Sequence, residues 1–557
     1  MSSAKRVISS LGARFTISIY VLKATLLVSL FFFGEHAAAS RPSWFPEKSC
    51  REVWKNRDLA KYDAAKDANL TKDGDLGYSA YQKRLKAAGI DRSSCYKDWT
   101  ILVYMAADND LQPYALWDLE EMEGRFDSGR YAGSTLKSDL VVQIDTKASS
   151  KRRLHIFQRE DRAYTPAISK APYEKVGLEI IRSPIIELLP KSAPSGPDLE
   201  SFLKWGMKTY PADKYMVVVW GHGQGWNSGP LEPLQELGKN TQEIDQTLTV
   251  LKQIPQPVAN ATFGGIFNNP ANGTNVSIPD LRDAISGAVD DTLEGRPIDM
   301  YASDACLMQM SEVLAEITPY TRFVSGSAQV QSFLGLPYRR VLYEINTGRF
   351  ASTAKLTGRE DEALLVAKML PKLSEASLDP LRGQQGRADI KARETFTMSS
   401  VSSVAFEQRV LPALTDLTKS LTSYIDEDMG RAFQFDSLIR STPSYMGGGR
   451  ELGSFLKLLD LARRSDLPRT GETAFSKKLA RDIREMEIAL DEAVIERRLG
   501  TGYTVEGKSV HLLGFLGIGI WIPSGPKEFQ HRSQDFQLSR LHRETSWQSW
   551  LKSTFGL

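Results

Sequence analysis

Tyr215-Met-Val-Val-Val-Trp220 runs directly into Gly221-His222-Gly223, and Ile298-Asp-Met-Tyr-Ala302 runs directly into Ser303-Asp304-Ala305-Cys306. Each apolar run has the length and bulk of a buried strand, and each stops abruptly in small or polar residues. If the two strands lie side by side and parallel, His222 and Cys306 meet at the carboxyl edge of one sheet. That edge is where open α/β folds place their ligand crevice. The residue types point to a Cys/His nucleophilic site.

Other strand signals lie on either side of this pair. Trp99-Thr-Ile-Leu-Val-Tyr-Met-Ala106 stops at Ala107-Asp108-Asn109-Asp110, and Ala115, Leu116, Leu119 and Met122 then recur at helical spacing. Asp139 to Asp145 and Arg153 to Phe157 read as further strands, and Leu199 to Lys208 as a helix. After the histidine, Asn227 to Thr262 is polar and carries Pro230, Pro233, Pro255 and Pro257, an exposed insertion. Asn268 to Asn275 is turn-like and Ile278 to Val289 helical. Leu307 to Ile317 predicts a helix beginning at the cysteine, and Arg322 to Gly326 another strand. Strands alternating with helices imply a mostly parallel α/β sheet flanked by helices.

Beyond about residue 345 the pattern turns helical, with Phe406, Val410, Leu414, Leu417 and Leu421 on one face and Leu479, Ile483, Met486, Leu490 and Val494 on another. Leu512 to Ile522 is strand-like, and Trp547 and Trp550 in the tail read as core anchors. The expected organisation is therefore 1–39 signal peptide, 40–97 amino-terminal extension, 98–345 catalytic domain, and 346–557 helix-rich carboxyl-terminal domain with a closing strand.

Composition narrows the function. With 70 Lys and Arg against 68 Asp and Glu, the formal net charge is +2, which gives no electrostatic case for nucleic acid. Lys5, Arg6, Arg14 and Lys23 precede the apolar run Ala24 to Gly34, and Glu35-His-Ala-Ala-Ala-Ser40 offers a small-residue cleavage pattern near Ala39. The expectation is an exported chain with no stable membrane insertion after cleavage, its destination periplasm, cell surface or medium.

Export makes the three cysteines legible. Cys50 and Cys95 flank a polar segment ahead of the first strand and can pair as a disulfide, which leaves Cys306 as the odd thiol. Spacing does not fix connectivity, so pairings of Cys306 with Cys50 or Cys95 remain open in the sequence. A buried structural cysteine and an ordinary histidine are the alternative to catalysis. A zinc-type site is disfavoured, since no second cysteine or histidine stands nearby at ligand spacing.

A catalytic cysteine acts as thiolate, and a helix amino terminus at Cys306 would favour a negative sulfur. His222, between glycines, is placed as general acid for the leaving amine. The backbone N–H groups of Gly223 and Cys306 are candidates for an oxyanion hole.

Trp99-Thr-Ile-Leu-Val-Tyr-Met-Ala-Ala-Asp-Asn-Asp-Leu111, Gly221-His-Gly-Gln-Gly-Trp226 and Asp304-Ala-Cys-Leu307 together resemble the clostripain family of cysteine peptidases. The resemblance covers about residues 98–345, and more loosely Gly519-Ile-Trp-Ile-Pro523 and Thr545-Ser-Trp547. It implies a caspase-like fold, protein or peptide substrates, a His222/Cys306 dyad and an acyl-enzyme on Cys306.

Two departures bear on specificity and metal. Relatives usually carry an acidic pair after the strand matching Phe323 to Gly326, near the pocket for a basic P1 side chain, whereas this chain has Ser325-Gly-Ser-Ala-Gln329. Asp304, with Asp108 or Asp110, is the candidate replacement for receiving Arg or Lys, an uncharged P1 preference being the alternative. Asn268 and Asn269 stand where aspartates are common, which weakens an inherited calcium site, since calcium favours clustered carboxylates. The chemistry itself calls for no cofactor. Family members are often matured by cleavage between the two motifs. Lys239 and Lys252, the basic residues of the Asn227 to Thr262 insertion, are the places where a basic-specific enzyme would cut itself. The alternative is an inactive relative serving as an exported binding or scaffold protein.

Overall fold

The computed structural model describes residues 41–53, 91–124, 132–158, 177–181, 183–226, 265–269, 274–332, 334–350, 361–378, 396–445, 449–500, 504–505, 508–509 and 514–557. The expected signal segment, most of the amino-terminal extension and the 227–262 insertion with Lys239 and Lys252 lie outside them.

Residues 46–557 form one compact unit around a nine-stranded sheet. Five parallel strands make its centre: β1 (Lys97–Ala106), β2 (Ser138–Asp145), β5 (Ala212–Trp220), β8 (Met300–Asp304) and β9 (Phe323–Gly326). Their spatial order is β9-β8-β5-β1-β2, so the chain leaves β1 toward β2 on one side and returns to β5 on the other. The carboxyl ends of β1 and β5 therefore flank a topological switch point, and a crevice opens there. Antiparallel strands extend both edges: β3 (Ser150–His155) and β4 (Ile185–Pro190) beyond β2, and β10 (Thr397–Ser402) and β12 (Val494–Leu499) beyond β9.

The continuous apolar character of the central strands follows from burial on both faces. Tyr215, Val217 and Val219 of β5 join Leu102, Tyr104 and Ala106 of β1 in one core, while Met216, Val218 and Trp220 join Ile101, Val103 and Met105 in the other. The first core is covered by α2 (Gly196–Thr209), α3 (Ile278–Leu293) and α4 (Ser311–Ile317), through Phe202, Ala284, Ile285 and Val313. The second is covered by α1 (Gln112–Glu123), α5 (Tyr338–Thr347) and α6 (Glu362–Ser377), through Leu116, Leu119, Val341 and Val366.

Two expectations need correction. The helix expected from Leu307 begins only at Ser311, with Met310 as its N-cap. Residues 305–310 instead form a turn with Leu307 at φ 61°, tied by Leu307 N–H to the Gln329 carbonyl (3.2 Å) and Gln309 N–H to the Ser327 carbonyl (3.0 Å). Cys306 is thus not at a helix amino terminus, and the macrodipole does not act on its sulfur. From beyond residue 345, β10 and β12 join this same sheet, and Leu414, Leu417 and Leu479 share the core of β1 and β5. Among the described residues of Leu512 to Ile522, the closing strand is Gly519–Trp521, and it pairs antiparallel with β11 (Gly449–Glu451) rather than with the main sheet.

The tail behaves as anchoring predicts. Trp547 and Trp550 are fully buried, and Trp547 Nε1 donates to the Trp521 carbonyl at 2.9 Å. Trp521 N–H donates to Glu312 Oε1 at 2.8 Å, and Gly519 N–H to the Gln309 carbonyl at 2.9 Å, so the closing strand braces the turn that carries Cys306.

Cys50 and Cys95 are joined by a disulfide with their Cα atoms 4.9 Å apart, and Cys306 is a free thiol. The bridge staples residues 48–53 to the start of β1, where Cys50 N–H also donates to the Tyr96 carbonyl at 2.8 Å.

Candidate active site

Strand pairing decides where the chemistry sits. Val219 pairs with Ser303 and Trp220 with Asp304, so His222 and Cys306 each lie two residues past the last paired position of adjacent parallel strands. Both strands stop there because a glycine follows one and a turn the other. Gly221 N–H donates to the Asp304 carbonyl at 3.2 Å, carrying the pairing one residue further. Gly223 then passes so close to Cys306 that an added β-carbon would stand 2.2 Å from its carbonyl oxygen. Gly225, at φ 68°, turns against Met310 and the Leu307 carbonyl. Only glycine permits both approaches.

The histidine segment is supported from behind by a hairpin, β6 (Gly265–Asn269) and β7 (Thr274–Ser277), where the sequence predicts a turn. Gln224 N–H donates to the Gly265 carbonyl at 2.9 Å, and Phe267 N–H to the His222 carbonyl at 2.8 Å. His222 Nε2 lies 2.8 Å from Asp110 Oδ1. Asp110, expected to meet a substrate cation, thus has its carboxylate on the histidine.

Cys306 is partly exposed, and its Sγ accepts the Gln331 N–H at 3.3 Å. Desolvation pushes its thiol up to about 11, the Gln331 N–H opposing and the nearby Asp304 charge reinforcing that rise. The sulfur therefore rests as a thiol at neutral pH, not as the preformed thiolate that a helix terminus would favour.

Asp304 lies buried beneath the cysteine. Its Oδ1 accepts Gln331 Nε2 at 2.7 Å, and its Oδ2 accepts Tyr338 OH at 2.8 Å and Leu336 N–H at 3.1 Å. Burial pushes its carboxyl up to about 6 despite these three donors. Asp118 stands close by, held by Trp220 Nε1 at 2.7 Å, and burial together with Asp304 raises it well above the carboxylate range. Asp108 pairs with Lys191 at 3.0 Å, and its carbonyl accepts Asn269 Nδ2 at 2.5 Å. Of the three acids expected to receive a cation, Asp108 is engaged by a lysine and Asp110 by the histidine, whereas Asp304 is held by three neutral donors.

Gln331, Tyr338 and Asp118 are absent from the residues that motif and spacing single out. Gln331 follows the stretch that lacks the acidic pair, and nothing in its spacing marks it. Its Oε1 is buried without a hydrogen-bond partner. Among the described residues, no group of three or more His, Cys, Asp and Glu side chains is disposed to hold a metal ion.

A model of the clostripain family matches residues 103–238 and 264–363, which include His222 and Cys306. No curated protein matches the chain. Among solved structures, a secreted C11 cysteine protease from Bacteroides thetaiotaomicron, bound to an irreversible peptide inhibitor, aligns at 18% identity and a TM-score of 0.49, covering 81% of this chain and 100% of its own. An inactive zymogen C11 protease from Parabacteroides distasonis aligns at 15% identity and 0.48, covering 81% and 98%.

Proposed function

We propose that this chain, a cysteine peptidase that belongs to the clostripain family over residues 103–238 and 264–363, works through Cys306 as nucleophile and His222 as proton carrier. The observation that carries this reading is the placement of both residues two positions past a paired strand end, with Gly223 packed on the Cys306 carbonyl. As the sulfur attacks the scissile carbonyl carbon, its proton passes to the imidazole. The carbonyl oxygen becomes an oxyanion, for which the N–H groups of Gly223 and Cys306 are the assigned donors. The imidazolium then protonates the departing amine, and a thioester remains on Cys306. Water, deprotonated by the neutral imidazole, cleaves that thioester and restores the thiol.

The reading extends to specificity. Asp304 lies two residues before the nucleophile, with Asp118 beside it, and an incoming basic P1 group would supply a cation to buried carboxylates. Gln331 Nε2 would have to give up Asp304 for direct contact. Self-cleavage after Lys239 or Lys252, and export through the leader, belong to the same reading and rest on the sequence alone. Among the described residues no helix is long and apolar enough to cross a membrane. Thiol and imidazole supply nucleophile and proton carrier, so the chemistry itself calls for no cofactor, and a calcium requirement is not expected from it.

The test is hydrolysis of a peptide library by purified protein, with and without a chelator, alongside Cys306→Ala and His222→Ala. Expected are cuts after Arg or Lys, insensitivity to the chelator, and loss of cleavage in both variants. Cleavage mainly after apolar residues would overturn the specificity, and full activity in folded Cys306→Ala the mechanism.

A further inference from the structure

The loop that follows β1 is built more rigidly than a solvent loop needs to be. Buried Asn109 donates through Nδ2 to the Ala106 carbonyl at 3.1 Å and accepts the Leu111 N–H on Oδ1 at 2.8 Å, closing a side-chain turn around Asp110. On the preceding side, Asp108 is held through its carboxylate by Lys191 and through its carbonyl by Asn269. Asp110 therefore projects from a braced segment, and its Oδ1 lies 2.8 Å from His222 Nε2. The histidine is fixed from its own side by the Phe267 N–H on its carbonyl.

We propose that Asp110 is a positioning residue for His222, holding the imidazole through Nε2 so that Nδ1 is the nitrogen that exchanges a proton with Cys306. The proposal rests on the Cys306/His222 reading. With a carboxylate on Nε2, the neutral ring carries its hydrogen there and leaves Nδ1 as the acceptor. When the thiol proton arrives at Nδ1, the ring becomes a cation with its Nε2–H still donating to Asp110. Asp110 stabilises that cation without taking up its proton. The role differs from binding a P1 cation, for which the carboxylate would act on the substrate rather than on the histidine. The carboxylate is partly exposed, with 42% of the side chain accessible, so water screens the pair and the effect is smaller than for a buried partner.

The experiment is steady-state kinetics of Asp110→Ala, Asp110→Asn and Asp110→Glu on a fluorogenic peptide, each variant checked for native thermal unfolding. Positioning predicts a kcat lowered about 10- to 100-fold in Asp110→Ala, less in Asp110→Asn, with KM changed by no more than about twofold, and recovery in Asp110→Glu. A raised KM for basic substrates at unchanged kcat would overturn it in favour of substrate binding. Unchanged kinetics, or a raised kcat, would overturn it as well. Should His222→Ala retain wild-type hydrolysis, the dyad itself fails, whatever Asp110 does. If His222→Ala is inactive and Asp110→Ala is not impaired, the dyad stands and only the positioning role is lost.

Discussion

An added β-carbon on Gly223 would stand 2.2 Å from the carbonyl oxygen of Cys306, closer than side-chain carbons come to backbone. The contact ties the histidine segment to the cysteine turn across two strand ends, so the site's geometry depends on the absence of a side chain there. Gly223→Ala should separate the segments, lower kcat/KM by about 100-fold or more and destabilise the fold by roughly 1–3 kcal/mol. Peptide kinetics and a denaturation curve read both. Wild-type kcat/KM in the alanine variant would show that the close approach is incidental.

The resting state of Cys306 has its own signature. With the thiol pushed up to about 11, a small alkylating agent such as iodoacetamide should modify Cys306 slowly at pH 7, and the rate should climb about tenfold per pH unit without a plateau below about pH 10. Mass spectrometry of the Cys306 peptide follows it while the Cys50–Cys95 bridge stays closed. A plateau near neutral pH would mean a preformed thiolate.

Much of this is legible from residue patterns. The central strands announce themselves because burial on both faces demands uninterrupted apolar runs, and the positions of His222 and Cys306 follow from where those runs stop. Strand β10, Thr397-Met-Ser-Ser-Val-Ser402, is faint in the sequence because hydroxyl residues fill three of its five buried positions, with Met398 and Val401 the apolar ones. Ser399 and Ser400 are fully buried, with Ser400 Oγ 2.5 Å from Ser325 Oγ and Ser399 Oγ donating to the Gly517 carbonyl at 3.0 Å. A strand sealed partly by hydrogen bonds carries a weak hydrophobic signal. Helix onset after Cys306 is misleading for a different reason, since Leu307 and Met308 continue an apolar pattern that the tertiary bonds to Ser327 and Gln329 override. The links of Asp110 to His222 and of Gln331 to Asp304 join residues 112 and 27 positions apart, which local spacing does not encode.

Behind the site, Glu312 provides a pH test of stability. Burial pushes its carboxyl up to about 8, against an unfolded value of about 4.3. Between those values the folded chain holds a proton that the unfolded chain has released. The contribution is therefore favourable at low pH and is lost as pH rises through about 8. Glu312→Gln cannot ionise and keeps an oxygen for the Trp521 N–H. Its stability should fall less than the wild type's between pH 6 and pH 9, by roughly 1–3 kcal/mol in urea unfolding. An identical fall in both proteins would refute the buried, raised carboxyl.

The Cys50–Cys95 bridge closes a sequence separation of 45 residues at the start of β1, far from the carboxyl edge of the sheet. Replacing both cysteines by serine should cost about 2–4 kcal/mol of stability and leave kcat within about twofold. Thermal unfolding and peptide kinetics check the two halves separately. Loss of kcat in a folded double variant would mean that the amino-terminal segment reaches the site.

The central claim is that Cys306 is the nucleophile and His222 its proton carrier, and intact-protein mass spectrometry after incubation with a peptidyl acyloxymethyl ketone reads it most directly. One adduct per chain is expected, mapped to the Cys306 peptide, formed rapidly at pH 7 in wild type, absent in Cys306→Ala and slowed at least about 100-fold in His222→Ala. An adduct on any other residue, or undiminished labelling of Cys306 in His222→Ala, would contradict it.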